Sequence, residues 1–494
     1  MGHARSTSRP MGAISLANQP VLGCAAMADV AELSITGRVT TATDGDWDDA
    51  RQAWNLAADQ QPAAVAFVEG PADVSAVVRY AADNGLRVTA QGTGHGAAPL
   101  GSLEDTILIR TTRMKSIEVD GAAGTARVEA GVLGEELGAA AQAHGMCSQP
   151  GSSPNVGTIG YTLGGGLGWL GRRHGFACDL VRAVELVTAD GKKRRVDADD
   201  EPDLFWALRG GGGGYAIVTA LEVDLLPVAE AYAGALIFPA ELGADAVRAY
   251  RDWTAALPDE VTSRGRFLRP PPMPDVPEPL RDRPLWTVTA ACIGSREDGE
   301  RLVAPLRELG EPIMDTFDQI PPAGLSRINM DPEPPIPALG HHRLLRELPD
   351  EAIDALVGVV GPEAGSPLLL TELGQLGGAL GRPAEGGGAL SKLDAGFVML
   401  AIGVPMTPEL GEALPGALDR LHDAMEPWSG EGGYFNFAER PCDLDALLPP
   451  ETCERLGEVK RRWDPDGLIR ANHAVSLSDY PKTRLSSRSY VAPS

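Results

Sequence analysis

The chain has 494 residues, 43% of them apolar, with 43 basic against 68 acidic side chains and a net charge of −25. That length exceeds what one hydrophobic core usually supports, so two or three domains are expected. The acidic balance repels polyanions and excludes nucleic acid as a partner. No run approaches the roughly 18 apolar residues of a membrane span.

The first 27 residues carry Arg5, Arg9 and an apolar stretch broken by Asn18, Gln19 and Pro20. A secretory signal needs an unbroken apolar run, so residues 1–28 read as a disordered extension of a cytoplasmic protein. From about 45 to 228 short strands and helices alternate among many glycines. Ala64–Val68 is strand-like. Pro71 then opens a helix with Val74, Val77, Val78 and Ala81 on one face, and Asn84-Gly85 closes it. Leu86–Thr89 follows as a strand, completing a β-α-β unit. Glu135–His144 is a helix stopped by Gly145. Val184–Thr188 and Lys192–Val196 flank Ala189-Asp190-Gly191, a hairpin signal.

From about 229 to 430 proline clusters interrupt the pattern at 270–284 and 332–337. Strands are expected at Trp286–Ile293, Pro367–Leu373 and Gly396–Val404, and helices at Ala244–Ala256, Glu297–Leu309 and Pro408–Met425. This mixture suggests a sheet covered by helices on one face. Motif-like aromatic and polar residues return beyond 431, before a polar tail. Six cysteines at 24, 147, 178, 292, 442 and 453 include no CxxC pair, so they read as free or buried thiols.

Gly166-Leu167-Gly168-Trp169-Leu170-Gly171 matches GxGxxG, with Asp190 at the spacing of a ribose-binding acid. A Rossmann fingerprint needs a strand before it and a helix opening from it. Gly160, Gly164 and Gly165 break any such strand, Gly175 ends any helix after one turn, and Asp190 belongs to the hairpin. A nicotinamide site is therefore rejected. Glycine-rich loops at 91–96, 151–168 and 210–214 suit a different logic, in which backbone N–H groups surround the phosphates of a large cofactor. Flexible connectors are the alternative reading of the same composition. No Walker A, HExxH or GxSxG motif occurs. His341-His342 reads as a loop feature, and no metal site is expected.

Ala90-Gln91-Gly92-Thr93-Gly94-His95 resembles the R-x-G-G-H motif of berberine-bridge-enzyme-like flavoproteins in the vanillyl-alcohol-oxidase superfamily. Pro154–Gly166, Leu167–Gly175, Leu204–Arg209, Ile217–Thr219, Leu376–Leu380, Tyr434-Phe435-Asn436 and Asp464–Asn472 continue the resemblance in family order. It implies an α+β architecture: a two-lobed PCMH-type FAD-binding domain with an inserted substrate domain of antiparallel sheet covered by helices. The expected limits are 29–228 for the FAD domain, 229–430 for the substrate domain, 431–478 for a returning C-terminal segment and 479–494 for the tail.

By resemblance, FAD is bonded through its 8α-methyl to His95. Gln91, Gly92, Thr93, Gly94, Gly96, Ser153, Val156, Gly157, Gly160, Tyr161, Gly165, Gly166, Gly168, Ile217, Val218, Asn436 and Asn472 would surround it. Ser153 stands where many relatives carry a second, cysteinyl link, so one covalent bond is expected. Gln91 replaces the motif arginine, exchanging a charged pyrophosphate contact for a neutral one. Val156 resembles the small gate residue of relatives that use O2 as acceptor, which favours an oxidase over a dehydrogenase.

The expected chemistry is hydride removal from an alcohol or amine, with a base taking the partner proton. Tyr434 is the first candidate for that base, in need of an electropositive setting because tyrosine titrates near 10. Glu372 and Gln375 are further candidates, and a spacing of three on a strand lets at most one of them face the ring. The resemblance implies a secondary-metabolite substrate or, alternatively, a carbohydrate, and a monomer or homodimer.

Overall fold

The computed structural model describes residues 30–274 and 276–475; the extension expected over 1–28 and the tail over 479–494 lie outside the described residues. Strands β1 (Arg38–Thr40), β2 (Ala64–Phe67), β3 (Arg87–Gln91) and β4 (Thr106–Arg110) form a sheet of order β1-β2-β4-β3. Both β2 and β3 run parallel to β4, and β1 is antiparallel to β2. Helices α1 (Trp47–Arg51) and α2 (Pro71–Asp83) accompany this sheet. The apolar stripe of α2 is buried against Ala64, Ala66, Val88, Ile107 and Ile109. So β2, α2 and β3 do form a β-α-β unit, but β4 is inserted between its two strands.

A second sheet holds β5 (Ile117–Asp120), β6 (Thr125–Glu129), β7 (Val181–Val187), β8 (Lys193–Asp197) and β9 (Ile217–Asp224), all antiparallel, in the order β5-β6-β9-β7-β8. Helices α3 (Gly134–Gln142), α4 (Thr158–Leu163), α5 (Gly171–His174) and α6 (Pro202–Ala207) belong with it. The β7–β8 hairpin turns where expected: Asp190 Oδ1 accepts the Lys192 N–H at 3.1 Å. In the GxGxxG stretch α5 lasts one turn before Gly175, at φ +81°, ends it. No helix long enough to serve a dinucleotide opens there.

The third sheet comprises β10 (Ala231–Pro239), β11 (Val261–Leu268), β12 (Leu285–Ile293), β13 (Met314–Asp315), β14 (Asp318–Ile320), β15 (Leu339–Leu345), β16 (Leu370–Gln375) and β17 (Phe397–Gly403). Its order is β13-β10-β12-β11-β16-β17-β15, with β14 also on β10, and every pairing is antiparallel. Helices α7 (Gly243–Ala255), α8 (Arg296–Arg307), α9 (Asp350–Val360) and α10 (Pro408–Ala424) supply the residues that bury one of its faces, among them Tyr250, Val303, Leu356 and Leu421. The opposite face contributes Leu344 and Val398 to the core of the second sheet. His341 and His342 lie on β15 rather than in a loop, because antiparallel pairing with β17 extends through both. Their side chains diverge: His341 stacks on His422 of α10 at 3.9 Å, while His342 Nε2 accepts the Tyr434 N–H at 2.9 Å.

After α11 (Pro450–Trp463) the chain returns to the first sheet. The Val88 N–H donates to Leu468 O at 2.9 Å and the Arg470 N–H to Val88 O at 2.8 Å, adding a rung beside β3. Asp464, fully buried, organises this return. It accepts the Leu468 and Ile469 N–H groups at 2.8 Å each and pairs with Lys460 Nζ at 2.6 Å. Asp464→Ala removes the counter-ion of that ammonium, which keeps only the Gly214 and Ile469 carbonyls, and leaves two amides without their acceptor; it is expected to cost about 3–5 kcal/mol of unfolding free energy. Urea unfolding monitored by tryptophan fluorescence checks this, and a loss below about 1 kcal/mol contradicts it. Among the described residues all five cysteines are free, no helix is long and apolar enough to cross a membrane, and no cluster could hold a metal.

Candidate active site

β3 ends at Gln91, and the loop after it delivers His95 into a cavity of about 450 Å³. The loop needs glycine at 94, where φ is +89° and an added Cβ would lie 2.8 Å from that of Ala53. His95 stacks on Trp54 with ring centroids 4.0 Å apart, and its Nδ1 lies 2.8 Å from Thr93 Oγ1. Its Nε2 is buried without a partner. Burial lowers the imidazole to about 4, so the ring is neutral at physiological pH.

The cavity wall contains Gln91, Gly92, Thr93, Gly94 and Gly96 from this loop, and Ser153, Val156, Gly157, Gly160 and Tyr161 from the next. Val218, Asn436 and Asn472 also line it. Asn436 Nδ2 donates to Tyr161 O at 2.9 Å, and an added Cβ on Gly164 would fall 1.9 Å from Asn436 Oδ1. The C-terminal segment can thus approach only a glycine. Asn472 Nδ2 donates to Gly96 O and closes the His95 loop from the other side.

Five sequence candidates lie elsewhere. Gly165 and Gly166 adopt φ of +111° and +82° and pack against Leu390, Ala177 and the Tyr161 ring, and Gly168 packs against Gln149 and Pro150. They shape the wall from behind. Ile217 alternates away from Val218 into the core under α2. Gln375 faces the helix layer, where it accepts from Ser263 Oγ at 2.9 Å and donates to Thr254 O at 2.9 Å. The register of β16 has no bulge, so the three-residue spacing does separate Glu372 from Gln375.

Glu372 is the member that faces the cavity, buried to 4% exposure rather than lying on the surface. Its Oε1 pairs with Arg264 Nη1 at 2.7 Å, and its Oε2 accepts from Asn329 Nδ2 at 3.3 Å. Arg264 lies on β11, 4.7 Å above the Trp169 ring, and neighbouring Arg266 pairs with Asp331 at 3.0 Å. Sequence reading missed β11 and its two arginines. The available signal was two arginines spaced by two within an otherwise strand-like run, which places both on one face.

Tyr434 is buried with its oxygen accepting the Leu167 N–H at 2.7 Å and Asn436 Nδ2 at 3.2 Å. Burial raises its pKa, so the setting is not the electropositive one that a tyrosinate base requires. Glu439, also unanticipated, borders the cavity beside Asn55. It has no sequence signature apart from its place three residues after Asn436.

The pattern of unsatisfied groups fits a phosphate-bearing cofactor such as FAD. Both side-chain polar atoms of Gln91, the Thr158 hydroxyl, the Tyr161 hydroxyl and His95 Nε2 are buried without a hydrogen-bond partner in the protein. Buried polar atoms are normally satisfied, and all five line this one cavity.

Comparison with known proteins agrees with the fold. Residues 62–197 match the family described as FAD binding domain. The chain is 29% identical over 460 residues to (R)-6-hydroxynicotine oxidase of Paenarthrobacter nicotinovorans, covering 90% of this chain and 97% of that one. The crystal structure of 6-hydroxy-D-nicotine oxidase from Arthrobacter nicotinovorans superposes with a TM-score of 0.74 at 26% identity, covering 90% and 98% of the two chains. Berberine bridge enzyme from Eschscholzia californica shares the fold at a TM-score of 0.74 and 19% identity, covering 89% and 96%.

Proposed function

Because this chain is an FAD-linked oxidoreductase of the berberine-bridge-enzyme-like kind, in the vanillyl-alcohol-oxidase superfamily, we propose that it oxidises a C–H bond of a small alcohol or amine, of the secondary-metabolite type, with O2 as acceptor. Residues 29–228 and 431–478 are assigned to the cofactor domain and 229–430 to the substrate domain. The first two sheets fall within the former range and the third within the latter. The observation that carries the reading is one cavity lined both by His95 with three glycine loops and by the Arg264–Glu372 pair.

FAD supplies, when bound, a two-electron acceptor that takes a hydride and returns the electrons to O2 as H2O2. His95 is its single covalent anchor, since Ser153 Oγ has no thiolate character and is engaged with Asn155 Oδ1 at 3.0 Å. Gln91, Thr93 and the neighbouring backbone amides hold the pyrophosphate. Val156, lining the cavity, leaves room for O2. Glu372 takes the substrate O–H or N–H proton, with Arg264 holding the carboxylate in place. Tyr434, whose oxygen already accepts two hydrogen bonds, keeps its own hydrogen for orienting substrate.

Anaerobic titration with alcohols, amines and sugars tests this. The flavin absorbance is expected to bleach with one of these classes, and air is expected to restore it with stoichiometric peroxide. A flavin that no compound bleaches refutes an oxidase; bleaching without peroxide on reoxidation identifies a dehydrogenase.

A further inference from the structure

We propose that Glu439 recognises a positively charged nitrogen on the substrate, so that the cavity takes a small, mainly apolar amine rather than a polyhydroxylated sugar. The inference rests on reading this cavity as the substrate chamber.

Glu439 stands at the lobe-to-sheet junction. Its side chain lies against Gly340 of β15 at the point where Ile402 of β17 also meets it. Ile402 is the register partner of Leu370, one rung from the Leu400–Glu372 pair on the same sheet face. The two carboxyl groups therefore look into one chamber, but their partners differ. Glu372 is neutralised by Arg264 at 2.7 Å. Among the described residues no cation pairs with Glu439, whose side-chain partner is the Asn55 amide at a long 3.4 Å. That amide nitrogen already donates to Ala338 O at 3.0 Å.

The neighbouring charges are committed elsewhere. Arg440 pairs with Asp419 at 2.6 Å, Arg266 with Asp331, and Arg470 with Asp105 at 3.3 Å. His473 meets the Ala438 and Cys442 carbonyls, and His342 receives the Tyr434 N–H. Glu439 lines the cavity, and burial there raises the carboxyl to about 7. A carboxyl held that way gains its missing counter-charge from a bound cation. Trp54, Ile336, Leu370, Leu400 and Ile402 are also among the residues lining the cavity and present apolar surface, which suits a hydrocarbon frame.

Binding of benzylamine, benzyltrimethylammonium and benzyl alcohol to the purified holoenzyme, by calorimetry, separates charge recognition from turnover. At about pH 8.5 both cations are expected to bind at least ~10-fold more tightly than the alcohol. Near pH 5.5 the carboxyl, titrating at about 7, is protonated and the ratio should fall towards one. E439Q should remove the preference at both pH values, and E439D should retain part of it; flavin spectrum and melting temperature report whether each variant is folded. A wild-type ratio near one at the higher pH, a ratio that survives E439Q, or one that ignores pH overturns the proposal. If a sugar or neutral alcohol bleaches the flavin and no cation preference exists, the amine assignment fails while the oxidase reading stands. If nothing bleaches the flavin yet the Glu439-dependent preference is present, the oxidase reading fails and the recognition site stands.

Discussion

His95→Ala is expected to release all its flavin into the supernatant on acid precipitation, whereas the wild-type pellet stays yellow. The imidazole that is lost touches little else. It stacks on Trp54 and meets Thr93, contacts that contribute about 1 kcal/mol, so the variant should fold and melt within a few degrees of wild type. Digestion of the wild type should place a flavin mass on the peptide containing His95 and none on the peptide containing Ser153. A yellow His95→Ala pellet would mean a link at another residue, and a colourless wild-type pellet would mean none. Protonation gives a further check. Because burial lowers the His95 pKa to about 4, its nucleophilic neutral form persists below the ordinary histidine midpoint. Covalent attachment to apoprotein should therefore be level between about pH 8 and pH 5, where an exposed histidine would lose reactivity below about 6.5.

The second large effect concerns Glu372. Glu372→Gln is expected to slow anaerobic flavin reduction by about 10²–10⁴-fold, the usual contribution of a positioned general base, with flavin content unchanged. The substitution also leaves the buried Arg264 charge without its counter-ion, at a cost of a few kcal/mol. Glu372→Gln combined with Arg264→Met removes both charges, so stability should recover while reduction remains slow. A fall in kcat across this pair, with flavin content and substrate affinity unchanged, marks a proton acceptor rather than a packing residue. If Glu372→Gln reduces flavin at the wild-type rate and Tyr434→Phe does not, Tyr434 takes the role despite its raised pKa.

Features that depend on neighbours in the chain were readable in advance. The apolar stripe of α2, the Asp190-Gly191 hairpin and the one-turn limit on α5 follow from helix periodicity, turn chemistry and a glycine at positive φ. The GxGxxG stretch could be rejected for the same reason, since its glycines break the elements that a nucleotide-binding turn needs. Period-two alternation likewise separated Glu372 from Gln375, although it could not say which side the cavity would occupy.

Membership of a motif proved a weaker guide to contact. Gly165, Gly166, Gly168 and Ile217 belong to the same glycine-rich and strand motifs as the lining residues, yet they turn away to pack against Leu390, Ala177, Gln149 and the α2 core. A motif records that a position is constrained and not which neighbour constrains it. In His341-His342 the sequence carries no apolar alternation, so only pairing with β17 reveals the strand.

By itself, then, the sequence determined the local backbone: glycine loops able to surround phosphates, the histidine in the loop after β3, and the helix and hairpin boundaries. These follow from dihedral limits and side-chain period within a few residues. Tertiary structure alone decided which charges meet in the chamber. Arg264 and Glu372 are separated by 108 residues, and Asn55 and Glu439 by 384. In a chain with 111 charged side chains nothing local distinguishes a buried carboxylate from an exposed one, because burial belongs to the packed sheets and not to the residue.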